Sequence, residues 1–255
     1  MAESPRYTIY DPFAEAYNRH WGPDGAKGIL PALDRLLLRD LPRGSRILDL
    51  CCGTGQLARR LTDRGFIVTG IDGSTEMLRL ARKNAPAAEL ILADVRSFQA
   101  DHRYTAVIST SNSLSHITSI RELRAVFRNT YAALAGDGRF LFDVHMEAGY
   151  KAQWHGEFAI TDEDMVCTAT SSYAPQSRIA RMKVAISDLH DGAWRHSDTT
   201  IRQRAYTQAE LISGMQDAGF IEVSMRDARR RQRPRGTLQR AMFVGRKPFG
   251  DQRGP

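Results

Sequence analysis

Asp49, Asp72 and Asp94 stand at or near the ends of three apolar runs, and a pair of glycines lies beside the first of them. The segment Ile47-Leu48-Asp49-Leu50-Cys51-Cys52-Gly53-Thr54-Gly55-Gln56-Leu57-Ala58 reads as a strand that enters a glycine turn and passes straight into a helix. Glycines there let the backbone approach a ligand closely, with the ligand at the helix N-terminus beyond the carboxyl end of the strand. Taken alone, Gly53-x-Gly55-x-x-Ala58 also fits a dinucleotide fingerprint. Asp72, at the end of the following run, can accept hydrogen bonds from ribose hydroxyls with either kind of ligand. Asp49 discriminates better. An acid inside the first strand, four residues before Gly53, crowds a pyrophosphate with like charge and suits a ligand that brings an ammonium group.

The elements that must position these groups follow from periodicity. From Arg46 onward, strands (46–50, 67–71, 89–93, 105–109, 138–144) alternate with helices (56–64, 75–84, 120–134), and the Gly136-Asp137-Gly138 turn precedes the fifth strand. This rhythm predicts an α/β fold with a parallel, doubly wound sheet. Residues 154–206 lack helical periodicity and read as antiparallel strands, with Met182, Val184 and Ile186 alternating and a turn at Asp191-Gly192. A capping box, Thr207-Gln208-Ala209-Glu210, restarts the helical pattern up to Gly219, and strands at 221–225 and 241–245 close the chain. Upstream, Asp11 and Pro12 suit the cap and first turn of a helix whose Tyr10, Phe13, Ala14, Tyr17 and Trp21 form an aromatic stripe. A second amphipathic helix spans 29–41.

With these residues in order, Leu48-Asp49-Leu50-Cys51-Cys52-Gly53-Thr54-Gly55 resembles the glycine-rich first motif of class I S-adenosylmethionine (SAM)-dependent methyltransferases. It departs from the usual form at Cys51, where the family has glycine. Gly70-Ile71-Asp72-Gly73-Ser74-Thr75-Glu76-Met77-Leu78 resembles the second motif, and Ala93-Asp94-Val95-Arg96 the third. The resemblance implies a Rossmann-like seven-stranded sheet holding SAM and releasing S-adenosylhomocysteine (SAH). In it Asp72 binds the ribose hydroxyls, Met77 lies near the adenine, and Asp94 with the Val95 amide reads the adenine edge. The strand end Ser109-Thr110-Ser111-Asn112-Ser113 forms the floor under the methionine moiety. The Tyr10–Tyr17 segment resembles the N-terminal lid of small-molecule methyltransferases, including glycine-type and amino-sugar N-methyltransferases, in which Tyr10 and Tyr17 cover the carboxylate end of SAM. The implied organisation is lid helices over 1–43, a SAM-binding domain over 44–147 and 207–249, and an antiparallel β insert over 148–206 covering the substrate side.

Methyl transfer from a sulfonium is an in-line displacement that alignment and water exclusion can drive, so no enzyme nucleophile or metal cluster is required. A hydroxyl acceptor would gain from a base, for which His116 and His145 are the candidates, and Asn112 is placed to orient either an amine or a hydroxyl. The bland readings are a core-satisfied acid for Asp49, strand-end solvation for Asp72 and Asp94, plain packing for the aromatic stripe, and structural histidines. Arg204, Tyr173 and Trp154 of the insert are candidates to line a substrate pocket.

Of the chain's formal charge of +7, +6 falls between Arg226 and Arg240. That is one basic loop on a nearly neutral body. It permits an alternative reading as a nucleic acid or protein methyltransferase anchored by the arginines, yet no aromatic residue interleaves Arg229–Arg235 as base stacking requires. The three cysteines form neither a disulfide framework nor a metal-ligand spacing. No apolar stretch approaches the ~20 residues of a membrane span. The expectation is a cytoplasmic enzyme acting on a small molecule, able to pair as a homodimer through the β insert, with residues 251–255 disordered.

Overall fold

The computed structural model describes residues 8–100, 104–227 and 238–250. A 3-10 turn at Thr8–Tyr10 leads to α1 (Ala14–His20) and α2 (Gly22–Leu36). Asp11 and Pro12 do not open a helix, because α1 begins at Ala14 with no side-chain cap. Asp11 instead reaches across the fold: its Oδ1 accepts from Ser74 Oγ and, at 3.4 Å, from the Glu76 amide. It thereby caps the helix that follows the second strand. The second N-terminal helix starts earlier than its apolar spacing suggests, at Gly22 with Pro23 in its first turn, and carries Pro31 inside it.

The main sheet is built from β1 (Arg46–Leu50), β2 (Ile67–Asp72), β3 (Glu89–Leu92), β4 (Tyr104–Ser109) and β5 (Leu134–His145). The helices α3 (Gln56–Asp63), α4 (Thr75–Asn84) and α5 (Ile120–Ala133) connect them. After the sheet's fifth strand come α6 (Glu147–Gln153), then β6 (Gly156–Thr161), β7 (Met165–Ala174), β8 (Ile179–His190) and β9 (Ala193–Arg204). The chain returns through α7 (Gln208–Asp217) to β10 (Ile221–Asp227) and β11 (Arg240–Arg246). The strand order is β10-β11-β5-β4-β1-β2-β3, parallel from β5 to β3, with β11 antiparallel to both its neighbours.

Such a sheet buries both faces, and the two cores are distinct. On one face Phe127 of α5 and Met215 of α7 pack over Phe140, Phe142 and Phe243, with Phe142 and Phe243 stacked at 5.3 Å. On the other, Leu33 of α2 and Leu61 of α3 cover Ile47, Ile108 and Leu141. Each buried side chain of this size contributes roughly 1.5–3 kcal/mol, which makes the central strands the least movable part of the molecule. The expected turn at Gly136-Asp137-Gly138 is absorbed into β5 as a bulge. Tyr104 pairs with Leu134 and Ala106 with Arg139, so the intervening residues loop out with Asp137 at φ 65°.

The insert folds as a four-stranded antiparallel sheet, β6-β7-β8-β9. Period-2 alternation sends Met165, Cys167 and Ala169 inward and leaves Thr168 and Thr170 in solvent. The inward face meets the first helix, where Phe13 and Ala16 join Cys167, Val184, Ile186 and Ile201 in a separate apolar cluster. Arg19 of that helix grips the β6–β7 turn, its two terminal nitrogens 2.6 and 3.0 Å from the Asp164 carboxylate. Among the described residues no helix is long and apolar enough to cross a membrane, and no group of acids, histidines and cysteines is arranged to hold a metal.

Candidate active site

The parallel strands β1, β2 and β4 end at one edge of the sheet, and the turns after them converge there. After β1 the chain climbs through Cys51 at φ 59°, Gly53 at φ 55° and Gly55 at φ 83°, and Gly55 lies against α4 so closely that a Cβ would meet Ala81 at 3.0 Å. Only glycine satisfies both constraints at 55. Cys51, a non-glycine residue, holds a left-handed conformation there, at the cost of local strain. Burial, with Asp72 and Asp49 nearby, pushes the Cys51 and Cys52 thiols well up, so both are neutral.

Asp72 closes this loop onto β2. Its Oδ2 accepts from the Gly53 amide at 2.8 Å and its Oδ1 from the Ser74 amide at 2.9 Å. Burial raises its pKa, and the backbone donors oppose that rise. Asp49 has no such help. It is 2% exposed, and its Oδ2 has no hydrogen-bond partner among the described residues. Burial, with Asp72 nearby, pushes its carboxyl up to about 8. A hollow of about 30 Å³ opens onto it, lined also by Tyr17, Cys51, Gln56, Thr110 and Ser111. A buried carboxyl with an unpartnered oxygen facing a space of that size fits a cationic ammonium, whose charge would favour its ionised form.

Beyond β4, Ser111 and Asn112 both take left-handed conformations at φ 62°. Asp143 of β5 holds them there, accepting from their amides at 2.9 and 3.1 Å while Arg240 Nε donates to it at 2.6 Å. From this corner a polar relay runs into the insert. Asn112 Oδ1 accepts from the His145 amide at 2.7 Å, so its Nδ2 must point the other way, donating to Gln203 Oε1 at 2.8 Å. Gln203 Nε2 then donates to His116 Nε2 at 2.9 Å, which leaves the His116 proton on Nδ1, facing the Tyr10 hydroxyl. Burial lowers the His116 pKa to about 4. The imidazole is neutral, with both nitrogens committed.

A cavity of about 270 Å³ joins these parts. Its sheet side is lined by Cys51, Gly53, Asp72, Met77 and Val95, and Ser111 and Ser113 form its floor. Tyr10, Phe13, Tyr17 and Trp21 descend from the N-terminal segment; His116, Ile117, Phe158, Met182, Ile201 and Gln203 close the far wall. Tyr17 is half-buried, and the desolvation of its hydroxyl raises its phenol pKa.

Several residues singled out in the sequence lie elsewhere. Ser109 is spent within the sheet, its hydroxyl donating to Leu50 O at 3.0 Å. Asp94 is gripped by Arg96, which also reaches Glu122 at 3.2 Å, and Asp94 does not line the cavity. Gly55 shapes the turn from behind. Asn112 and His145 also lie outside the lining: the His145 ring packs on Tyr150 at 5.6 Å, and its backbone amide is what reaches Asn112. Arg204 pairs with Glu210, while Tyr173 and Trp154 pack on Tyr150. Strand parity explains the miss in the insert. Ile201 and Gln203 share the inward face of β9, and Arg204 sits on the opposite one. A glutamine in step with buried Ile201 was the available signal. The arginines at 229–235 and the 251–255 tail lie outside the described residues.

Residues 47–138 match the profile of a methyltransferase domain. A putative methyltransferase of Bacillus subtilis, YqeM, is 32% identical over 193 residues, spanning 71% of this chain and 75% of its own. A dTDP-3-amino-3,6-dideoxy-alpha-D-glucopyranose N,N-dimethyltransferase of Streptomyces fradiae is 35% identical over 106 residues, 42% of either chain. An S-adenosylmethionine-dependent methyltransferase of Clostridium acetobutylicum has the same fold, with a TM-score of 0.75 at 17% identity over 94% of this chain and 99% of that one. The glycine turn, the two acids at the ends of β1 and β2, and these likenesses agree, and the chain belongs to the class I SAM-dependent methyltransferases.

Proposed function

We propose that the protein methylates an amine nitrogen of a small molecule held between the N-terminal helix and the β insert. The observation that carries this reading is the state of His116. It is the imidazole on the acceptor side of the cavity, burial lowers its pKa to about 4, and its Nε2 lone pair already accepts from Gln203. A hydroxyl acceptor needs a base near the operating pH. A neutral amine brings its own lone pair and needs alignment alone. The amino-sugar N,N-dimethyltransferase among the relatives supports an amine acceptor.

In this reading Asp72 holds the ribose diol, Met77 and Val95 border the adenine, and Asp49 pairs with the methionine ammonium. Tyr10 and Tyr17 close over the methionine end, and Asp94, fixed by Arg96, shapes the adenine edge from outside. The bound cofactor supplies an electrophilic methyl on a sulfonium. An acceptor amine aligned with that methyl would form the N–C bond as the C–S pair returned to sulfur in SAH, and the product ammonium would give its proton to water.

The test is turnover of methyl-labelled SAM over a panel of paired amines and alcohols. Methylated amines are expected. Methylation of alcohols alone refutes the reading.

A further inference from the structure

We infer that the body of the acceptor is apolar, an aryl- or alkyl-substituted amine rather than a polyhydroxylated sugar or a free amino acid. The inference rests on the amine reading above and goes beyond it. The acceptor wall is built by elements outside the SAM-binding strands: Phe13 and Trp21 from the N-terminal helices, Phe158, Met182 and Ile201 from the insert, and Ile117 after β4. Trp21 and Phe158 lie 5.9 Å apart at the mouth, where Phe158 is 40% exposed.

The polar groups of this wall are turned toward one another. His116 is shared between Tyr10 and Gln203, Gln203 Oε1 takes protons from Asn112 and Tyr150, and Ser113 Oγ donates to Thr110 O at 2.7 Å. A sugar placed here would have to break that relay or leave its own hydroxyls unpaired. An aromatic or aliphatic body would bury against rings without disturbing it. Met182 adds a flexible side chain that adapts to the shape of such a group.

The test uses the full chain with SAM and compares kcat/KM for 2-phenylethylamine, glucosamine and glycine, with 2-phenylethanol as the oxygen control. The expected result is a preference for 2-phenylethylamine of at least about 10-fold, the scale set by apolar pocket contacts. Phe158→Ser, at a half-open edge position, is expected to erase most of that preference while SAH affinity and melting temperature stay near wild type. Equal or faster turnover of glucosamine or glycine overturns the inference and leaves the amine reading standing. Turnover of 2-phenylethanol in place of the amine overturns the amine reading and supports the apolar body. Failure of every apolar probe to bind the SAH-loaded protein or be methylated overturns the inference, as does an unchanged preference in Phe158→Ser.

Discussion

Asp49→Asn tests the cofactor reading at its most exposed assumption, that a buried acid waits for an ammonium. In the unliganded protein burial pushes the Asp49 carboxyl up to about 8, so near neutral pH it is mostly protonated. Pairing with an ammonium favours the ionised form, and binding must expel that proton. Linkage then sets a ceiling of tenfold in affinity per pH unit below the raised pKa, or roughly 50- to 100-fold between about pH 5.5 and 7.5. With a pKa of about 7.7–8.0 the ligand's α-amino group stays mostly charged below about pH 7, and its own deprotonation trims the slope only at the top of that range. Calorimetry with SAH in buffers of different ionisation enthalpy counts the protons, and close to one released per site is expected near neutral pH. Asp49→Asn should flatten both the affinity slope and the proton count, while Asp72 keeps its titration. The stability sign is opposite: the raised pKa favours the protonated folded state, a contribution present at low pH and lost as pH rises toward about 8. The unliganded protein therefore loses about 1.4 kcal/mol per pH unit across that window from this group, and SAH restores it. A pH-independent SAH affinity, or the same slope in wild type and Asp49→Asn, refutes the pairing.

Four further outcomes follow from the geometry. Asp72→Asn should weaken SAH binding at least about tenfold, because the carboxylate also anchors the Gly53 and Ser74 amides; a titration with unchanged affinity would remove Asp72 from the site. Cys51→Gly should shift stability by less than about 1 kcal/mol, whereas Cys51→Val, β-branched at φ 59°, should cost about 2 kcal/mol or more in a denaturant melt. Arg19→Ala removes an ion pair in which both side chains are one-third to one-half exposed, so stability should change by less than about 1 kcal/mol; stopped-flow displacement should nonetheless show faster SAH release, since Arg19 ties α1 to the β6–β7 turn. In nitrogen-15 spectra the His116 ring should carry its proton on Nδ1 with no titration above about pH 5, and Asn112→Ala should produce a mixture of tautomers; a mixture already present in wild type would contradict the relay.

The sheet was legible because its signals are local. β1 and α4 fall where the period of the apolar residues places them, and the Thr207–Glu210 capping box forms as its spacing requires. Helix boundaries that depend on partners were not legible. Asp11 has the chemistry of a cap, but it caps α4 across the fold, and nothing in its own neighbourhood of the chain records Ser74. The short α6 (Glu147–Gln153) has no long apolar repeat and is held by Tyr150, buried under Tyr173 and Trp154 of the insert. The same division runs through the site. Cys51, Gly53, Asp72 and Met77 could be picked out because the turns after β1 and β2 must carry them, whereas Gln203 and Phe158 reach the cavity only because the second sheet folds over the first.

The relay from His145 to Tyr10 shows how a structural hydrogen bond can decide reactivity. A backbone amide can only donate, so the His145 amide fixes which end of Asn112 faces Gln203. Each amide side chain then passes the polarity on, and His116 receives a proton at Nε2 that it does not own. The direction of the chain is therefore set by β5, whose position is locked by the aromatic core behind it, and not by any titrating group. His145 and Asn112, which look from the sequence like a base and an acceptor-orienting group, act through this wiring in the structure. A site wired in this way holds a neutral imidazole over a wide pH range, so the proton that the product must lose is carried by the acceptor itself. On the proposed amine reading this would place the pH dependence of the chemical step in the acceptor's own pKa, because a neutral amine carries a nucleophilic lone pair unaided, whereas an alcohol needs a base to gain one of comparable strength.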